Sequence, residues 1–116
     1  MLLQSPNVQI WLYTQPTDMR KQFDGLAALA KNKMAGRLEQ DQLFVFINRK
    51  RTYMKALYYS HGGLCLWSKR LERGHFQSIL SGSEDVTRMG LSWTELQCLI
   101  DGIKWQEVQR NKRFLR

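Results

Sequence analysis

The sequence predicts an α+β fold, an antiparallel sheet of about four strands packed by two main helices. Three observations predict it. The run Leu43-Phe44-Val45-Phe46-Ile47 is apolar on both faces, as a central strand covered on two sides must be. Two more strand-like segments follow at short spacing, Tyr53 to Tyr59 and Leu64 to Ser68, which suits antiparallel neighbours. Two segments, 18–34 and 92–103, repeat apolar residues every three or four positions, the period of a helix with one buried face.

Taken in order, Val8 to Tyr13 forms a short first strand, with Val8, Ile10 and Leu12 on one face and Trp11 and Tyr13 on the other. Pro16 ends it. Thr17 or Asp18 caps the first helix, which runs to about Met34 and gathers Met19, Phe23, Leu26, Ala30 and Met34 on one face. Lys31 and Lys33 suit the negative end of its dipole, and Gly36 is its stop. Residues 37–42 are a polar loop. The strand at 43–47 leads into a charged turn, Asn48-Arg49-Lys50-Arg51. Ser60-His61-Gly62-Gly63 joins the next two strands, glycine supplying the positive φ of a tight hairpin, so the three strands form a meander. Residues 69–90, with Gly74, Gly82 and Gly90 among serines, read as loops broken by short elements. Ser92-Trp93-Thr94-Glu95 is a capping box, and it opens a helix with Trp93, Leu96, Leu99, Ile100 and Ile103 on one side. In this reading residues 1–105 are a single α+β domain and 106–116 a basic C-terminal tail.

A chain of 116 residues has room for one hydrophobic core and not two, and 43% hydrophobic residues in blocks argue against disorder throughout. Cys65 and Cys98 each sit in an apolar segment far from the other and are expected to be buried free thiols. The start, Met1-Leu2-Leu3 followed at once by Gln4-Ser5-Pro6-Asn7, does not resemble a signal peptide. No segment approaches the ~20 apolar residues of a membrane span. A cytoplasmic protein with no membrane partner is the expectation.

The formal net charge is +8, which favours polyanionic partners. It is unevenly placed: residues 49–75 carry a net of +6 and residues 104–116 a net of +4, while 76–103 carry −3. The first cluster is Arg49, Lys50, Arg51 and Lys55, with Lys69, Arg70 and Arg73 beyond the next strand. In a meander the 49–51 turn and the end of the third strand lie at the same end of the sheet, so the two groups merge into one patch. Such a patch neutralises phosphates and releases counterions, and arginine forks onto phosphate or guanine. The second cluster, Arg110, Lys112, Arg113 and Arg116, reads as a basic arm. Tyr53, Tyr58, Tyr59, Trp67 and Phe76 stand near these charges, where stacking on single-stranded bases competes with a place in the core.

Catalytic chemistry finds little support. A two-metal nuclease needs several convergent carboxylates, and Asp18 and Asp24, six residues apart, point to different helix faces. His61, Cys65 and His75 lack the spacing of a zinc site, and no phosphate-binding glycine loop occurs. We therefore expect no enzyme activity, no metal and no cofactor.

Four segments carry a specific resemblance: Thr17-Asp18-Met19-Arg20-Lys21-Gln22-Phe23-Asp24-Gly25-Leu26, Leu43-Phe44-Val45-Phe46, Gly63-Leu64-Cys65-Leu66-Trp67 and Lys69-Arg70-Leu71-Glu72-Arg73-Gly74-His75-Phe76. In this order and spacing the chain resembles, over nearly its whole length, the small TnpB-type accessory protein from the second reading frame of the insertion sequence 66 family. The RNA-guided nuclease with the same label is unrelated. The chain departs from the family pattern at Tyr59-Ser60, usually tryptophan and an acidic residue, and after Phe76, where Gln77-Ser78-Ile79 replaces a usual tryptophan-proline pair. The resemblance implies participation in transposition beside a separate transposase that carries the catalytic carboxylates. It implies no catalytic residues in this chain. On the matched positions Arg20, Lys21, Lys69, Arg70 and Arg73 are the candidates to contact DNA or the transposase. The expected partners are DNA, transposon ends above all, and the transposase of the same element. The alternative is a module that docks on the transposase without touching DNA. A second copy of the chain is a further candidate partner, because the strand at 43–47 needs cover on both faces.

Overall fold

A computed structural model describes residues 7–77 and 87–102. The elements run β1 (Gln9–Tyr13), α1 (Phe23–Asn32), β2 (Gln42–Ile47), β3 (Tyr53–Ser60), β4 (Gly63–Arg70), β5 (Arg88–Leu91) and α2 (Trp93–Asp101). The sheet has five strands in the order β4-β3-β2-β1-β5. The α+β class is as the sequence predicts, but the sheet is mixed. β1 lies parallel to β2, while the other neighbouring pairs are antiparallel. The reason is the helix between β1 and β2: a chain that crosses over the sheet through a helix returns in the same direction. The fifth strand, β5, comes from a stretch read as loop. It is only four residues long and contains Gly90, so it carries almost no alternation.

The two faces of the sheet are covered by different helices. Ile10, Leu12, Leu43, Val45, Ile47, Met54, Ala56 and Tyr58 pack with Leu96 and Leu99 of α2 and with Phe76. Tyr13, Phe44, Phe46 and Leu57 pack with Leu26, Ala27 and Ala30 of α1 and with Met34. Both faces of the apolar β2 are thus covered from within the chain, and the strand itself asks for no second copy. The capping box of α2 is present on both sides, Ser92 Oγ accepting from the Glu95 amide and Glu95 accepting from the Ser92 amide. The β3–β4 link is a two-residue turn with His61 at φ 47° and Gly62 at φ 83°, the both-positive pattern that matches strand twist.

The first helix starts at Phe23, five residues later than the capping signal at Thr17 and Asp18 suggests. Those residues are used otherwise. The Thr17 amide donates to the Ile47 carbonyl at the end of β2, and Asp18 takes the Arg20 amide and guanidinium. Phe23, expected on the buried face, is 44% exposed as a result. Ile103 and the tail at 106–116 lie outside the described residues. Both cysteines are free, Cys98 buried and Cys65 half-buried. No described helix is long and apolar enough to cross a membrane.

Past α1, Ala35 turns left-handed at φ 52°, and the Gly36 amide reaches back to the Ala30 carbonyl at 2.8 Å. A β-carbon at Gly36 would run into the Phe44 ring, which is fully buried. Gly36→Ala is therefore expected to destabilise the fold by about 1–3 kcal/mol, the usual cost of overpacking. Urea unfolding of the variant beside the parent chain measures it.

Candidate nucleic-acid interface

The parallel pair β1 and β2 gives the sheet a polarity. Beyond their carboxyl ends stand the loop from Thr14 to Gln22, the turn from Asn48 to Thr52 and, across the antiparallel register, the segment after Arg70 and the start of β5. Basic residues from four separate parts of the sequence meet on this one edge: Arg20 and Lys21; Arg49, Lys50 and Arg51; Lys69, Arg70 and Arg73; and Arg88. Against them stand Asp18, Asp24, Glu72 and, at the end of α2 beside Lys69, Asp101.

Hydrogen bonds to backbone groups, from side chains and from other amides, fix the edge. Asn48 organises its own turn: its Oδ1 accepts from the Thr52 and Tyr53 amides, and its Nδ2 donates to Thr52 Oγ1. Arg51 sits in the turn at φ 57°, a conformation few branched or long side chains adopt. The segment after β4 then folds back onto this turn. The Leu71 amide donates to the Thr52 carbonyl and the Phe76 amide to the Arg51 carbonyl, both at 2.7 Å. His75 Nδ1 meets the Lys50 carbonyl at 2.8 Å, and the Arg51 guanidinium donates to the Phe76 carbonyl. The fully buried Phe76 ring anchors the segment in the core. The merging of the 49–51 and 69–73 clusters, expected from strand order, is therefore held by specific bonds.

The cations of the edge divide into two kinds. Some face inward. Lys55, expected on the surface patch, is 2% exposed. It points from β3 toward the α1 side, and its Nζ donates to the Met19 and Lys21 carbonyls at 2.8 Å each, with the Tyr53 ring 5.6 Å away. Strand alternation explains the misreading: Lys55 shares its face with Leu57, and the sequence gives no sign that two carbonyls wait there. Lys69 is half-buried and donates to the Ile100 carbonyl at 2.8 Å. It supplies the positive group that the last turn of α2 lacks. Arg51 is tied to Phe76 as above. Arg20 is exposed, but it forks onto Asp18. Others face outward. Lys21, Arg49, Lys50, Arg70 and Arg73 are exposed, and their side chains have no ion pair or hydrogen bond among the described residues. Arg110, Lys112 and Arg113 lie outside the described residues. The residue that the sequence reading missed is Arg88, whose guanidinium lies 4.2 Å from the centre of the Trp11 ring at the β5 end of the edge. Its isolation in an acidic stretch of sequence hid it.

The aromatic residues near the charges are mostly packed. Tyr58 and Phe76 are buried, while Tyr53, Tyr59 and Trp67 are half-buried. Phe23, at the start of α1, is the large apolar side chain exposed on the described surface.

The fold and this edge define a small α+β protein with one strongly basic sheet end. Residues 8–110 match the family described as IS66 Orf2 like protein. Two Sinorhizobium fredii proteins are similar to it. The uncharacterized protein y4hO is 33% identical over 113 residues, which cover 97% of this chain and 96% of that protein. The uncharacterized protein y4jC is 29% identical over 110 residues, which cover 95% and 92%. No solved structure matches. The chain belongs to the IS66 Orf2-like family, and membership ties it to transposition of insertion sequence 66 elements in an accessory role.

Two predictions test the edge. The Arg20 side chain, then its amide, hold the Asp18 carboxyl down to about 2, against an ordinary 3.8. A depressed folded value makes the pair's contribution present above pH 3.8 and lost as pH falls through about 2. A carboxyl-carbon NMR titration is expected to place Asp18 near that value, and Arg20→Gln to raise it; an ordinary midpoint in the parent chain would contradict the pairing. Lys55→Met keeps the bulk but removes the donor from two carbonyls. It is expected to cost about 1–3 kcal/mol in urea unfolding, with the largest amide shifts confined to residues 17–22.

Proposed function

We propose that this protein is a non-catalytic accessory factor of transposition that holds duplex DNA by its phosphates along the basic sheet edge. One observation carries the reading. Lys21, Arg49, Lys50, Arg70 and Arg73 stand exposed on a single edge, unpaired among the described residues, at the end of β4 and on loops tied down by hydrogen bonds to the backbone.

Dimensions favour duplex. Five strands at about 4.8 Å spacing give an edge about 19 Å wide, against a major groove about 12 Å wide. The 48–52 turn can face a groove while flanking cations meet phosphates on both sides. The scarcity of exposed aromatics argues against a single-strand platform, which works by stacking bases on open rings. Positive charge fixed in place is also the kind of surface that steers association with a polyanion.

Fluorescence anisotropy with a transposon-end duplex and a scrambled duplex, across a salt series, tests the proposal. Five phosphate contacts predict a log–log salt slope of about −4 to −5. Replacing Arg49, Lys50 and Arg70 together by glutamine should reduce the slope by about 2.7 and weaken both duplexes alike. These three spare Arg51, Lys55 and Lys69, whose bonds hold the scaffold. A preference above about tenfold for the true end would make the protein an end-recognition factor. No binding at low salt, with the transposase still retained in a pull-down, would overturn the proposal in favour of docking on the transposase.

A further inference from the structure

The strand order leaves two outer strands, and they differ. β5 has four residues and includes Gly90. β4 has eight, all in continuous register with β3 from Tyr53↔Arg70 to Ser60↔Gly63, with no bulge and no proline. Its middle, Leu64 to Trp67, is uncharged and half-buried on both faces, Leu64 and Leu66 toward α1, Cys65 and Trp67 toward α2. No described residue hydrogen-bonds to the outer side of its backbone. Natural sheets usually blunt such an edge with charge, proline, a bulge or a short strand. β4 has none of these along its middle.

We propose that β4 pairs along this edge with β4 of a second copy, antiparallel about a two-fold axis, joining two sheets into one of ten strands. The uncharged middle of the strand is what lets a second copy serve as partner, and charge selects the direction. The cations of β4, Lys69 and Arg70, stand at one end only. Parallel pairing would set them against their own copies, and directly opposed like charges destabilise a sheet. Antiparallel pairing sets them beside the uncharged Gly63 end instead. An axis perpendicular to the sheet brings side chains of the same face together. The register that best overlaps the uncharged stretch then puts Leu66 opposite Leu66, Cys65 opposite Trp67 and Leu64 opposite Ser68. A two-fold contact of this kind needs only one self-complementary surface, which this strand supplies. A single strand pair is a small contact beside a standard interface, so the dimer is expected to dissociate on dilution through about the micromolar range. Resting on the DNA reading above, the pairing also has a consequence: the two basic edges point in opposite directions, and one dimer can bridge two duplexes.

Sedimentation equilibrium of the full chain over a concentration series is the test, with hydrogen exchange of the β4 amides that do not bond to β3. A reversible dimer is expected, with those amides protected at high concentration and released on dilution. Leu66→Lys should give a folded monomer by circular dichroism. Should it fail to fold, Leu66→Cys in a Cys65→Ser, Cys98→Ser background keeps the test alive, because the new thiols are expected to join two chains through a disulfide. A monomer throughout with fast-exchanging β4 amides, or a dimer that Leu66→Lys leaves intact, would overturn the pairing. A chain that stays monomeric across the whole concentration series and still binds DNA would overturn the pairing alone. A dimer of this geometry that binds no DNA would overturn the DNA reading alone.

Discussion

The constraint on which the rest depends is that β2 is apolar on both faces. Leu43, Phe44, Val45, Phe46 and Ile47 are all buried, so the strand needs cover above and below. Water on either side would leave several large side chains exposed, at roughly 1.5–3 kcal/mol each. The chain meets the need by sending α1 over one face and α2 over the other. Placing α1 between β1 and β2 makes that pair parallel, and a parallel pair gives the sheet two unlike ends. The loops that follow β1 and β2 must then emerge together. The convergence of Arg20 and Lys21 with Arg49, Lys50 and Arg51 follows from core packing before any binding function is considered.

What the packing does not provide is order in those loops, and hydrogen bonds to carbonyl oxygens supply it. Lys55 holds Met19 and Lys21, Thr17 holds Ile47, and the segment from Leu71 to Phe76 is laced to the 48–52 turn. The buried lysine is the sharpest case. A buried polar group without partners costs stability, yet Lys55 has two carbonyl acceptors and an aromatic neighbour, so the same group that would be a liability becomes the strut for the loop before α1. Its role is legible only in three dimensions, because the acceptors are backbone atoms 34 and 36 residues away.

How much was legible in sequence follows from where each signal resides. The strand at 43–47, the hairpin at His61-Gly62 and the Ser92 capping box rest on local chemistry, and each stands within a residue or two of its expected place. The joining of the 49–51 and 69–73 clusters followed from strand order alone. The failures are non-local. The start of α1 looked set by Thr17 and Asp18, but both residues serve contacts to other parts of the chain. Residues 88–91 become a strand because β1 offers a partner, with Trp11 opposite Gly90. Lys55 and Lys69 looked like surface charge because lysine usually is; their acceptors belong to other elements.

The choice of acceptor also bears on electrostatics. An ion pair with a carboxylate would have fixed Lys55, Lys69 or Arg51 equally well, but it would have cancelled the charge. Carbonyl oxygens orient each cation and leave its full charge in place. At this edge only Arg20 is paired with a carboxylate among the described residues. The inward cations therefore add to the field of the outward ones, and the low-dielectric core behind them screens that field far less than water does. The self-repulsion of so many like charges would tend to spread the loops apart. The backbone lacing between 48–52 and 71–76 opposes that spreading, so the edge stays both charged and rigid. In the proposed DNA complex, a surface with this combination would lose little conformational freedom as the polyanion arrives, and a few exposed side chains would then suffice for useful affinity.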